Sequence, residues 1–218
     1  LLNLAGFGMK AWDRGSAEPL KPFSYASTAL PVFDRNLKAL AEKIRPTCVL
    51  GHVRGVAYNT EVEISLQNVH PFQFPGVRLA LAHNGDLARF SEMKPRLLEF
   101  IRPEIANLIR GTTDSEWIYA LIVSQLADPH GACAADDLVR AVDQAFANIR
   151  KARARLGIAT SSALNVWNFT ASAPARAASS TNFKAVFRSP LWFTPASAMI
   201  NVGIFVPIFR APMINGLN

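Results

Sequence analysis

The sequence has 218 residues, of which 50% are hydrophobic and 18% are charged. This is enough to bury the core of one domain, and it excludes a wholly disordered chain. Two cysteines and four scattered histidines exclude a disulfide framework and a structural zinc site. The net charge of +7 lies in the last third, because residues 1–143 carry 15 basic and 16 acidic residues, and residues 144–218 carry 8 basic residues and no acid. Since no nucleic-acid-binding motif accompanies this excess, the charge belongs to the tail and does not indicate a nucleic-acid partner.

In the first part of the chain, the sequence predicts several strands and one helix. Residues 1–12 form a predicted strand, and residues 13–33 form a loop that is broken by three prolines. A helix is predicted over residues 34–45, because its apolar residues recur at helical spacing between Asp34 and Pro46. Further strands are predicted over 47–53, 61–66 and 77–82, and His83-Asn84-Gly85 is typical of a turn.

The remaining elements before the tail are helical. Helices are predicted over 90–100 with a continuation to 109, over 114–126 and over 136–156. Thr113 and Glu116 have the spacing of a capping box at the start of the helix over 114–126. Strands and helices in this mixed order indicate an α+β fold.

The tail differs from the rest of the chain in composition and in pattern. We expect one domain over residues 1–167 and an atypical basic, acid-free tail over residues 168–218, which is β-rich or disordered. Residues 189–209 are uncharged and long enough to span a membrane, but three prolines interrupt them. We therefore expect no membrane segment.

Four short motifs occur in order along the domain. They are GHVR at 51–54, NVHPF at 68–72, AHNG at 82–85 and GTTDSE at 111–116. Each motif alone has an ordinary structural interpretation, such as a hairpin turn for Asn-Gly or a helix start for Asp114. Together, in this order and spacing, they resemble the class II glutamine amidotransferases, which are N-terminal-nucleophile hydrolases. The stand-alone bacterial type, similar to γ-glutamyl-hercynylcysteine sulfoxide hydrolase, is the branch that the sequence resembles.

The resemblance covers residues 5–167 and implies a fold and an activity. The implied fold is a four-layer αββα sandwich, incomplete at both ends of this chain. The implied reaction is cleavage of the γ-amide of glutamine or of a γ-glutamyl compound through a thiol acyl-enzyme, without metal or organic cofactor. The implied partners are that small molecule and, if ammonia is transferred, an ammonia-accepting protein. A cytoplasmic location is expected, without nucleic acid or membrane.

The resemblance also implies roles for individual residues, and these roles agree with their chemistry. Arg54 can hold the substrate α-carboxylate through a bidentate fork, and Asp114 can accept hydrogen bonds from the α-ammonium. Asn84 and Gly85 would form the oxyanion hole, where one donor is typically worth about 3 kcal/mol of barrier. The remaining two residues, His70 and His83, are expected to support the surrounding loops without transferring protons.

The family's nucleophile is an N-terminal cysteine, whereas residue 1 of this chain is leucine. We therefore expect the chain as written to be inactive. Truncation, gene disruption and natural loss in a pseudoenzyme that only binds glutamine or glutamate are the three explanations. The retained motifs favour loss of the end over long decay, and a change of reading frame near residue 167 would explain the acid-free tail.

Overall fold

The computed structural model describes residues 2–57, 62–160, 162–172, 182–188 and 203–207. These residues form seven strands and five helices, so the predicted α+β class is confirmed. In chain order, the strands are β1 (Leu2–Trp12), β2 (Phe23–Ser27), β3 (Cys48–Ala57), β4 (Leu79–Asp86), β5 (Ala163–Ser172), β6 (Asn182–Arg188) and β7 (Gly203–Pro207). The helices are α1 (Arg35–Lys43), α2 (Phe90–Leu98), α3 (Pro103–Ala106), α4 (Asp114–Gln125) and α5 (Ala135–Arg155).

The strands form two antiparallel sheets. The first sheet has the order β2-β1-β3-β7, and the second has the order β4-β5-β6. In the first sheet, β1 pairs with β3 from Leu2↔Ala57 to Trp12↔Cys48, with one irregularity near Gly6. In the second sheet, β4 and β5 pair without a break from Leu79↔Thr170 to Asp86↔Ala163.

β4 contributes side chains to two different layers, because successive residues of a strand point to opposite faces. Leu79 and Leu81 belong to the large core that the second sheet shares with α2, α4 and α5. Ala80 and Ala82 belong to a smaller cluster with side chains of the first sheet, including Trp12. The sheets therefore pack face to face, with helices outside the second sheet.

Two helices form most of the helical layer, and they are buried in different ways: α4 on nearly all sides and α5 along one face. In α4, eight of twelve side chains are buried, and in α5 seven of twenty-one are buried at helical spacing. By contrast, α1 buries no side chain, although Asp34 caps it by accepting a hydrogen bond from the Leu37 amide at 3.1 Å. Within the described part of the chain, no helix is long and apolar enough to cross a membrane.

Two local predictions are wrong and one strand was missed. The segment 62–65 is not a strand, because Val62 and Ile64 stay exposed and the chain enters a 3-10 turn at Leu66–Asn68. His83-Asn84-Gly85 is not a turn but the end of β4, where continuous pairing with β5 keeps the backbone extended. The predicted loop over 13–33 contains β2, whose strand character comes from its pairing with β1.

Part of the predicted tail lies within the described residues. β5 continues across position 167, β6 pairs with β5, and β7 pairs with β3. The uncharged run 189–209 lies outside the described residues except for β7. The proposed domain boundary at 167 and the change of reading frame near it stay predictions.

Candidate active site

Two glycines of β1 allow the NVHPF motif to lie directly against the first sheet. A Cβ atom on Gly8 would lie 2.1 Å from the His70 carbonyl oxygen, and one on Gly6 would lie 2.8 Å from a Val69 methyl group. Gly6 also has a φ of +141°, a backbone conformation that residues with a side chain rarely adopt. The glycine pair therefore fixes the position of His70 relative to β1.

Three buried histidines lie beneath the site. The rings of His52 and His70 are 4.2 Å apart, and the His83 backbone N–H donates to His70 Nδ1 at 3.4 Å. His83 itself is bonded through Nδ1 to Ser115 Oγ at 2.8 Å, which joins β4 to α4. Burial lowers the pKa of His52 to about 4 and holds the pKa of His70 well below its usual range. The imidazoles of His52 and His70 are therefore neutral at physiological pH.

The oxyanion-hole candidates lie at the end of β4. Asn84 is buried, and its Oδ1 lies 2.6 Å from His52 Nε2 on β3, so the side chain bridges the two sheets. Gly85 follows at the surface with a φ of +138°, a backbone conformation that glycine adopts most easily. A buried amide side chain is therefore followed directly by an exposed glycine.

Asp114 is the first residue of α4 and ties this helix to the chain after β4. Its Oδ2 accepts a hydrogen bond from the Leu87 backbone N–H at 2.7 Å. Burial raises the pKa of the Asp114 carboxyl, and hydrogen bonds from Leu87 and Ser115 act in the opposite direction. Ser115 Oγ also donates to Asp114 Oδ1, at 3.3 Å, so both carboxylate oxygens are held at the start of α4.

The GTTDSE motif is held by Asn68 as well as by its own cap. Thr113 accepts from the Glu116 backbone N–H at 3.4 Å, but the Glu116 carboxylate accepts from the backbone of Arg110 and Gly111 at 2.9 and 2.6 Å. The predicted capping box is thus half formed. Asn68 is fully buried and exchanges two hydrogen bonds with Thr112, at 2.8 and 2.9 Å.

Arg54 lies on β3 beyond His52 and is almost completely buried. One guanidinium nitrogen donates to the Glu63 carbonyl oxygen at 3.2 Å, and Asn68 Nδ2 donates to the same oxygen at the same distance. Burial lowers the pKa of Arg54, and the carboxylates of Asp114 and Glu63 partly offset this. The guanidinium of Arg54 therefore interacts electrostatically with Asp114, the other residue that is expected to bind the substrate.

Three sets of hydrogen bonds hold the candidate site together. Arg54 and Asn68 share the Glu63 carbonyl oxygen, and Asn68 also bonds to Thr112. Asp114 bonds to the Leu87 backbone, and Asn84 bonds to His52. Sequence reasoning assigned no role to His52 or Asn68, although both stand within the quoted motifs.

Neither cysteine of the chain lies at this site. Cys48 begins β3, six residues before Arg54, which corresponds to about 20 Å along a strand. Its thiol is buried, and burial raises its pKa to about 12. Cys133 is also buried and precedes α5. Within the described residues, no cluster of side chains is arranged to hold a metal ion.

Comparisons with known proteins agree with these motifs. The sequence profile of the class-II glutamine amidotransferases matches residues 25–171. The probable glutamine amidotransferase DUG3 of Saccharomyces cerevisiae is 39% identical over 93 residues, which is 43% of this chain and 25% of the relative. The amidophosphoribosyltransferase of Methanothermobacter thermautotrophicus is 37% identical over 83 residues, or 37% of this chain and 16% of the relative.

The chain thus belongs to the class-II glutamine amidotransferase family, as the motifs predicted. A solved class-II glutamine aminotransferase domain protein from Silicibacter pomeroyi shares the fold, with a TM-score of 0.55 and 24% identity. That similarity covers 75% of this chain and 63% of the solved chain. The chain spans only a quarter or less of the two curated relatives.

Proposed function

We propose that the site binds the glutamyl group of L-glutamine or of a γ-glutamyl compound. The observation that carries the proposal is a buried cation, Arg54, near enough to the Asp114 carboxylate to be influenced by its charge, on the same strand as His52, which contacts Asn84. A free amino acid carries one α-carboxylate and one α-ammonium group, so Arg54 and Asp114 complement both of its charges. The γ-carbonyl oxygen then lies towards the Asn84 amide and the Gly85 N–H.

The reaction proposed for the complete enzyme is thiol-dependent amide hydrolysis. An N-terminal thiolate attacks the γ-carbonyl carbon, and the resulting oxyanion is stabilised by the Asn84 amide and the Gly85 N–H. The intermediate releases ammonia or an amine and leaves a γ-glutamyl thioester, which water hydrolyses to glutamate and free thiol. A cytoplasmic location and an ammonia-accepting partner protein belong to the same proposal.

A binding-only function is the second candidate, and the position of Cys48 favours it for this chain. Its thiol is buried at the far end of β3 and lacks the α-amine that the family's N-terminal nucleophile has. Ammonia release from glutamine separates the two candidates. We expect binding without ammonia release, whereas release that persists after Cys48→Ala and Cys133→Ala would contradict the thiol mechanism.

Binding itself is tested by calorimetry with L-glutamate and L-glutamine. Arg54→Lys and Asp114→Asn should each weaken binding about tenfold or more, because a charged hydrogen bond is lost at one end of the ligand. Arg110→Lys, at an exposed arginine, is the matched control and should leave affinity unchanged. Equal affinity in the wild type and in both site variants would overturn the proposal.

A further inference from the structure

A buried histidine contacts the oxyanion-hole amide from the opposite sheet. His52 Nε2 and Asn84 Oδ1 are 2.6 Å apart, and the side chains are only 3% and 8% exposed. An amide oxygen can only accept a hydrogen bond, so His52 Nε2 must carry the proton. The other ring nitrogen, Nδ1, is buried and forms no hydrogen bond of normal geometry with the described residues, although the His83 backbone lies near enough to raise the pKa of the ring.

The ring of His52 has little freedom to turn away from Asn84. It packs 4.2 Å from the ring of His70, which in turn lies 4.7 Å from the ring of Phe72. His70 is itself fixed by the backbone N–H of His83 and by the close approach of Gly8. The packing therefore holds the Nε2 atom of His52 in a fixed direction towards Asn84.

We propose that His52 is a positioning residue that fixes the orientation of the Asn84 side-chain amide, so that its NH₂ group and not its oxygen faces the substrate. This inference rests on the proposed function, since it concerns the same oxyanion hole. An amide rotated by 180° would direct its oxygen at the developing negative charge, and the donor would become a repulsive acceptor. His52 prevents this rotation because its N–H can satisfy the oxygen but not the NH₂ group.

The first test needs neither ligand nor activity. Nitrogen NMR of the labelled, full chain distinguishes the two neutral tautomers of histidine, and His52→Gln identifies the resonance. We expect His52 to carry its proton on Nε2 at neutral pH. A proton on Nδ1 would mean that Asn84 donates to Nε2 with a reversed amide, and it would overturn the proposal even if glutamate binds.

The second test uses two ligands that differ only at the end of the side chain. L-Glutamate places a carboxylate oxygen near Asn84, whereas L-norvaline has the same α-groups and carbon skeleton but no oxygen there. His52→Phe should weaken glutamate binding about tenfold and leave norvaline binding unchanged. His52→Gln, whose side-chain NH₂ can replace Nε2–H, should restore most of the glutamate affinity.

The outcomes also separate this proposal from the proposed function. Equal weakening of both ligands by His52→Phe would show a merely structural role and would overturn the positioning proposal. Absence of glutamate and norvaline binding to the wild type would refute the proposed function, while the tautomer of His52 would still decide the orientation of the amide. If His52→Phe does not fold, the protonated nitrogen of His52 and the glutamate affinity of His52→Gln test the positioning proposal instead.

Discussion

Replacing Gly8 by alanine tests the contact between β1 and the loop that carries His70. The new Cβ atom would lie 2.1 Å from the His70 carbonyl oxygen, about 1.3 Å inside the 3.4 Å at which ordinary contact begins. The obstacle is backbone and not the end of a flexible side chain. Relief of the overlap therefore requires β1 or the loop to move.

The expected cost follows from two opposing contributions. Overpacking a well-packed interior costs roughly 1–3 kcal/mol, and a backbone obstacle belongs at the upper end of that range. Reduced freedom of the unfolded chain returns about 0.4–1 kcal/mol when glycine becomes alanine. The net loss of unfolding free energy should therefore be about 2 kcal/mol.

Urea denaturation of the wild type and of Gly8→Ala measures this loss directly. Gly15→Ala is the matched control, because its Cβ atom would meet only the Asp13 side chain, at 3.3 Å in an exposed turn. The control should stay within about 0.5 kcal/mol of the wild type. A Gly8→Ala variant as stable as the control would refute the packing of the glycine pair against Val69 and His70. Because Gly8 pairs with His52 across the sheet, weaker glutamate binding should accompany the loss of stability.

Three further predictions concern the buried polar groups. Asn68→Ala should lower the unfolding free energy by about 2–3 kcal/mol in urea titrations, because it removes hydrogen bonds to Thr112 and Glu63, whereas the exposed Gln67→Ala should change little. The pKa of His52 is depressed in the fold, so the unfolded chain binds more protons between about pH 4 and 6.5, and stability should fall with decreasing pH by up to about 1.4 kcal/mol per pH unit from this group. His52→Gln should reduce the slope of unfolding free energy against pH, whereas His130→Gln, at an exposed histidine, should not. Equal slopes for the wild type and His52→Gln would contradict the depressed pKa of His52. Cys48, with a pKa near 12, should resist alkylation in the folded chain at neutral pH and react in urea, as peptide mass spectrometry would measure, and rapid labelling of the folded chain would contradict its burial.

The elements that could be predicted from the sequence are those with a local signal. The cap and apolar run of α4 and the apolar period of α5 lie within each helix, and the predicted bounds agree with the structure to within one residue. The motifs also identified the residues that the structure brings together at the ends of β3 and β4 and the start of α4. These signals depend on neighbours along the chain, so they could be recognised without the fold.

The wrong predictions concern contacts that the local sequence pattern does not encode. Asn84-Gly85 has the local chemistry of a turn, but pairing with β5 about eighty residues later keeps it in a strand. The alternation of Val62 and Ile64 favours a strand, yet that segment serves as a backbone acceptor for Arg54 and Asn68. The role of His52 depends on a partner in the other sheet, and nothing in the sequence around His52 indicates it.

The alternation of β4 restricts which length changes this family member can tolerate. His83 bonds to α4 while Asn84 bonds to β3, so adjacent residues serve opposite faces of one strand. Deletion or insertion of a single residue earlier in β4 would exchange their faces, placing the amide among the helices and the imidazole between the sheets. A two-residue change would restore the parity of the strand but move the pair by about 7 Å. β4 should therefore accept substitutions but not insertions or deletions. Natural variation in length should occur in the loops on either side of β4.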